Sequence, residues 1–125
     1  MKQATQFLVI LNNETDFETV KSKISGLKVI RATSPLDGKS IWLEIFPKNV
    51  SKAFGGKYLC EMLGISELDT LSIGNDYNDI DLLQWTGQSF VVDNSPEQIK
   101  NMFMQCVDND SNPLTDVVSK INLGF

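Results

Sequence analysis

Between Thr70 and Leu83 the chain reads Thr-Leu-Ser-Ile-Gly-Asn-Asp-Tyr-Asn-Asp-Ile-Asp-Leu-Leu, an order that few architectures accommodate. Thr70 to Ile73 is an apolar run with β-branched residues, and Gly74 then permits a sharp exit into a polar loop. Ile80, Leu82 and Leu83 begin a helical apolar face. Strand, loop and helix in this order suit an open α/β sheet, whose ligands bind in the crevice beyond the carboxyl ends of the strands. Asn75, Asp76, Asn78 and Asp79 fall at that end and are candidate site residues. Clustered oxygen donors without thiolate or imidazole suit a hard cation, Mg²⁺ first. The same residue types also build ordinary turns, with Asn78 or Asp79 capping the next helix, and the pattern alone leaves both readings open.

The rest of the chain alternates strands and helices. Gln6 to Leu11 is an apolar β run, and a helix is expected from about Thr15 to Ser25. Thr15 and Glu18 form a capping-box pattern, Phe17, Val20 and Ile24 a narrow apolar face, and Gly26 the stop. Leu27 to Ala32 and Ser40 to Phe46 should pair as a hairpin across Ser34-Pro35-Leu36-Asp37-Gly38. Ile41, Leu43 and Ile45 make one face of the second strand aliphatic, leaving Trp42 and Phe46 partly exposed. Pro47 breaks that strand, and Ser51 caps a helix from Ala53 to Leu63 whose buried stripe would be Tyr58, Leu59, Met62 and Leu63, with Gly64 as its stop. Gly55 and Gly56 cost that helix roughly 1 kcal/mol each relative to alanine, so a close approach of backbone or ligand is expected there.

After the central stretch, Trp85 closes a short helix, Gly87 caps it, and Ser89 to Val92 is a compact apolar strand suited to a parallel sheet. Ser95-Pro96-Glu97-Gln98 opens a further helix whose stripe would be Ile99, Met102, Phe103 and Cys106. Leu114 to Ile121 reads as a last helix with Val117, Val118 and Ile121 inward.

A chain of 125 residues with 42% hydrophobic and 22% charged residues has enough material for a modest globular core. A formal net charge of −5 and a sequence pI near 4.6 argue against nucleic acid or anionic membrane as partner, because both want a basic face. Cys60 and Cys106 sit among apolar helical positions and read as buried thiols rather than a disulfide. Without a signal peptide or an apolar run near the roughly 18 residues a membrane span needs, the expected location is the cytoplasm. The sequence has no histidine, which removes Ser-His and Cys-His nucleophilic systems and disfavours a catalytic zinc.

Gly74-Asn75-Asp76-Tyr77-Asn78-Asp79, followed by Ile80-Asp81-Leu82-Leu83, resembles the fourth motif, Gly-Asp-x-x-Asn-Asp, of the haloacid dehalogenase (HAD) superfamily in its Cof-like branch of sugar-phosphate phosphatases. Asn49-Val50-Ser51-Lys52, at the head of the Ala53 to Leu63 helix, resembles the third motif, in which a lysine steadies the phosphoryl group and nucleophile. The similarity runs from about Phe7 to Asp116 and covers the C-terminal half of what the family usually has. It implies an α/β fold: residues 1–47 as the last part of an α/β cap, and residues 48–125 as the C-terminal half of a Rossmann-like core with a parallel sheet. It also implies catalytic roles for Lys52 and Asp79, substrate binding by Lys52, Asn78 and Asn94, and Mg²⁺ ligation by Asn75, Asp76 and Asp79. Asn75 stands where the family's motif has an aspartate, which weakens or relocates the metal site; Asp81 is read as solvent-facing.

HAD phosphatases attack phosphorus with the first aspartate of an Asp-x-Asp at the end of an N-terminal apolar strand. Here Asp79-Ile80-Asp81 follows a polar loop and Asp108-Asn109-Asp110 is expected to follow a helix, so neither suits that role. The leading expectation is therefore the C-terminal portion of an Mg²⁺-dependent phosphohydrolase acting on a small phosphate ester and inactive alone. Its expected macromolecular partner is a second copy or a missing N-terminal half. The alternative is a non-catalytic HAD-like binding or interaction module.

Overall fold

The computed structural model describes residues 4–121. The chain divides into two compact units, Met1–Val50 and Ser51–Phe125. The first holds β1 (Phe7–Leu11), α1 (Glu14–Lys21), β2 (Leu27–Thr33) and β3 (Ile41–Pro47). Its antiparallel sheet has the order β1-β3-β2, with Val9 opposite Leu43 and Val29 opposite Ile45. Alternation sends those side chains to one face, where they join Ile41 and the buried Phe17 of α1. Leu8 and Ile10, one pleat over, are exposed, and Trp42 and Phe46 are half-buried.

α1 starts earlier than the Thr15-Glu18 pattern indicates. Asn13 is the N-cap, accepting the Asp16 N–H at 2.8 Å, and the helix ends at Lys21 with Ser22 rather than Gly26 as its C-cap. Gly26, at φ +73°, instead turns the chain into β2. The expected hairpin of β2 and β3 forms. Asp37 closes its connection by accepting N–H groups from Lys39 and Ser40, both at 2.9 Å, and these bonds pull its pKa down to about 2.

The second unit holds α2 (Lys52–Leu63), β4 (Leu71–Gly74), α3 (Ile80–Trp85), β5 (Gln88–Val92), α4 (Glu97–Lys100), β6 (Met104–Cys106) and α5 (Pro113–Lys120). The strands form a parallel sheet in the order β4-β5-β6. Central β5 is apolar throughout its buried part, as a strand covered on both sides must be: Phe90 and Val92 join Cys106 and Val117 on the α5 side, while Val91 joins Leu83 and Ile99 on the other.

Several sequence expectations change here. The helix expected to run from Ser95 through Cys106 stops at Lys100, and Cys106 lies on β6, buried on the sheet. Met102 is exposed rather than part of a stripe, and Val118 of α5 points outward. Gly87 follows the C-cap Thr86; a Cβ on it would lie 2.3 Å from the Leu68 carbonyl oxygen, so backbone crowding selects glycine there. α2 has the expected Ser51 and Gly64 caps, yet none of its residues is buried: Tyr58, Leu59, Met62 and Leu63 are all more than half exposed. Of its two early glycines only Gly56 meets a close neighbour, the Trp85 ring, where a Cβ would come within 2.8 Å; Gly55 faces open space.

Candidate functional site

The site begins with the steric demand of a short strand. β4 ends at Gly74, and a Cβ there would stand 2.7 Å from Asp79 Cβ and 3.0 Å from Leu83 Cδ1. The missing side chain lets the loop fold back so that Asp79 lies directly over the strand end. A 3-10 turn, Tyr77–Asp79, makes that return, capped by Asp76, whose Oδ1 accepts the Tyr77 N–H at 2.8 Å. Asp79 reciprocates through Oδ2, which accepts the backbone N–H groups of Asn75 at 2.8 Å and Asp76 at 3.3 Å. The turn-forming and site-forming readings of this sequence therefore describe the same residues. The Tyr77 hydroxyl donates to Gln98 at 3.0 Å and ties the loop to α4.

The opposite charge arrives from α2. Ser51 Oγ accepts the Phe54 N–H at 3.2 Å, which fixes the helix start and makes Lys52 its first residue. Lys52 Nζ pairs with Asp79 Oδ1 across 27 residues of sequence. The Asp79 side chain is 7% exposed and that of Lys52 is 49% exposed. A buried carboxylate thus holds one side of the ammonium, while the remaining N–H donors face solvent beside a helix amino end whose dipole favours anions. The arrangement can grip a phosphate-like anion.

Asn75 is exposed, and Asp76 and Asn78 are half-buried in the same loop. Asp81 is half-buried rather than solvent-facing, and its Oδ1 accepts the Leu82 N–H at 2.9 Å. Asn94 follows β5, the neighbour of β4 in the parallel sheet. There it clasps Asn109 of the loop after β6, each side chain bonding to the other residue. Asn109 carried no signal in the sequence, because nothing local marks one asparagine as another's partner. Asp108-Asn109-Asp110 follows strand β6, not a helix, and Asp108 Oδ1 accepts the Asp110 N–H at 3.0 Å.

As a metal site the loop fits Mg²⁺ in kind but not in number. Both Asp79 oxygens are engaged by Lys52 and backbone N–H groups, leaving Asn75 and Asp76 to offer oxygen, too few for an octahedral shell. Among the described residues, no three His, Cys, Asp or Glu side chains are placed to hold a metal.

A family model described as haloacid dehalogenase-like hydrolase matches residues 1–117. A putative phosphatase of Haemophilus influenzae is 27% identical over 81 residues, 65% of this chain and 29% of that protein. A solved haloacid dehalogenase-like hydrolase from B. subtilis aligns with a TM-score of 0.78 at 17% identity, covering 97% of this chain and 43% of the other. A solved sugar phosphatase of HAD subclass IIB aligns with a TM-score of 0.80 at 18% identity, covering 95% of this chain and 44% of the other. These two structures share the α/β fold, and the chain spans less than half the length of each of them. Among the described residues no helix is long and apolar enough to cross a membrane. Because the family model runs over nearly the whole sequence, the chain belongs to the haloacid dehalogenase-like hydrolase family.

Proposed function

We propose that this chain carries the phosphate-gripping half of a phosphoryl-transfer centre and acts on a small phosphate ester of the sugar-phosphate class. The observation that carries the reading is the pairing of half-exposed Lys52 with buried Asp79 at the carboxyl end of β4. Lys52 offsets phosphate charge, Asp79 holds its ammonium in place, and Asn78 and Asn94 are the further substrate-binding positions. The sugar-phosphate class is favoured by the fold shared with a sugar phosphatase. Residues 1–47 are then the last part of an α/β cap, and 48–125 the second half of the catalytic core.

Hydrolysis of such an ester needs a carboxylate that attacks phosphorus, expels the alcohol as its P–O bond breaks, and is freed when water splits the acyl phosphate. Asp79 is committed to Lys52 and Asp81 to its own helix start. Asp108 follows β6, two strand spacings, roughly 10 Å, from β4. In this reading the nucleophile is supplied by polypeptide outside this sequence. Mg²⁺ bound with its help would neutralise phosphate charge; Asn75 and Asp76 are the residues here that could contribute oxygen to it.

A second reading, a HAD-like binding module without catalysis, is favoured by Asn75 standing at the motif's aspartate position. Incubation of the 125-residue chain with p-nitrophenyl phosphate and Mg²⁺ is expected to release no more nitrophenol than buffer. Mg²⁺-dependent turnover that disappears in Lys52→Ala would show that a nucleophile is already present and overturn the half-centre reading.

A further inference from the structure

Lys52 and Asp79 come from different helical segments, so their pairing depends on how α2 lies against the segment that carries Asp79. Asp79 is the N-cap of α3, and α2 packs on α3. Ala53, Gly56 and Cys60, at three- and four-residue spacing, are the half-buried positions of α2. At Gly56 a Cβ would stand 2.8 Å from Trp85 Cζ3 and 3.5 Å from Leu82 Cδ1, so the indole ring of α3 lies directly on the backbone of α2. Gly56 is one helical turn, roughly 6 Å, past Lys52. The contact that sets the spacing of the two helices is therefore close to the group that must reach Asp79.

The α3 side of this contact is fastened. Thr86, the residue after Trp85, is bonded through Oγ1 to Ser72 Oγ of β4, and Ser89 Oγ of β5 donates to the Leu83 carbonyl. The indole Nε1 of Trp85 is itself buried, which encloses the ring at a second edge. A methyl added at Gly56 would accordingly displace α2 rather than α3. Gly55 supplies the comparison within the same turn: it is exposed, and nothing lies within 4 Å of where its Cβ would stand. Both glycines weaken the helix alike, so what distinguishes them is the space around them.

We propose that Gly56 is a positioning residue for the anion-gripping site: by making room for the Trp85 ring it sets the approach of α2 to α3 at which Lys52 Nζ meets Asp79. The inference deepens the functional reading above and rests on it only for what the pair binds.

Lys52 side-chain resonances in the labelled 125-residue chain report the pair without any ligand, and titration with inorganic phosphate reports what it binds. Gly55→Ala should leave the Lys52 resonances in place and the phosphate dissociation constant within twofold of the parent. Gly56→Ala, the same change one residue on, should move those resonances and weaken phosphate at least fivefold. Trp85→Leu removes the ring and should also loosen the pair, whereas Gly56→Ala/Trp85→Leu, which trades a large and a small group across the contact, should return closer to the parent than either single variant. Circular dichroism checks that each variant is folded; if Gly56→Ala is not, the comparison of Trp85→Leu with the double variant decides. Lys52 resonances that respond no more to Gly56→Ala than to Gly55→Ala would overturn the proposal, as would a double variant farther from the parent than Trp85→Leu. A parent chain that binds no phosphate would overturn the functional reading, and the Lys52 resonances would still decide the role of Gly56.

Discussion

Two loops leave the parallel sheet at the same end, one after β4 and one after β6, and both are rich in Asp and Asn. After β4, Asp79 is folded back over Gly74, buried, bonded to two backbone N–H groups and paired with Lys52. After β6, Asp108 closes its own turn, Asn109 reaches across to Asn94, and Asp110 stays exposed. Composition is nearly the same in the two loops. What separates them is that the first has a glycine that lets a carboxylate approach the strand end, and a lysine delivered by a distant helix. Of these two loops, the one after β4 holds a buried charge with a fixed counter-charge.

The sharpest way to break this contrast is to remove the buried charge. Asp79→Ala strips the partner from Lys52 and from the N–H groups of Asn75 and Asp76 and should cost about 3 kcal/mol in urea unfolding. A cost below 1 kcal/mol would put the two loops on the same footing.

Gly74→Ala keeps every polar group but drives a methyl into Asp79 Cβ and Leu83 Cδ1, an overpacking worth about 2 kcal/mol. It should also loosen the Lys52–Asp79 pair, read as a change in Lys52 side-chain resonances. In the second loop, Asp108→Ala should move stability by no more than about 0.5 kcal/mol, because its bond to Asp110 closes only a surface turn.

Acid sharpens the comparison without substitution. Asp37 is held at about 2, first by the N–H groups of Lys39 and Ser40, and Asp116 is held below its ordinary value, first by Lys120 and then by the Val107 N–H. A depressed carboxylate pKa stabilises the fold above the unfolded value, 3.8, and that contribution fades as pH falls through the folded value. The stability difference between the parent and Asp37→Asn should therefore hold at neutral pH and shrink between pH 3.8 and 2. A constant difference across that interval would contradict the assignment.

Much of this was legible in the sequence because it was local. The runs that became β1 to β5 are contiguous, and the Ser51 and Gly64 caps of α2 sit where their chemistry places them. The Asn13 cap was missed because Thr15, two residues on, is equally competent and has its own capping-box glutamate. β6 was missed because Ile99, Met102, Phe103 and Cys106 have helical spacing, and only the sheet beside Met104–Cys106 decides against a helix. The apolar residues of α2 were evident as a pattern, but a pattern does not say what covers them, and in this chain nothing described does. Lys52 and Asp79 were reached as separate site residues through two short motifs, and their pairing came only with the fold, since no local rule joins residues 27 apart.

The central claim, that Lys52 and Asp79 form an anion-gripping centre, is tested most directly by titrating inorganic phosphate into the isotopically labelled chain and following backbone amide resonances. Ser51, Lys52, Ala53, Asn75 and Asp76 should move together with one dissociation constant, and Lys52→Ala should abolish the shifts while leaving the rest of the spectrum unchanged. Shifts that persist in Lys52→Ala, or that centre on the loop after β6, would contradict it.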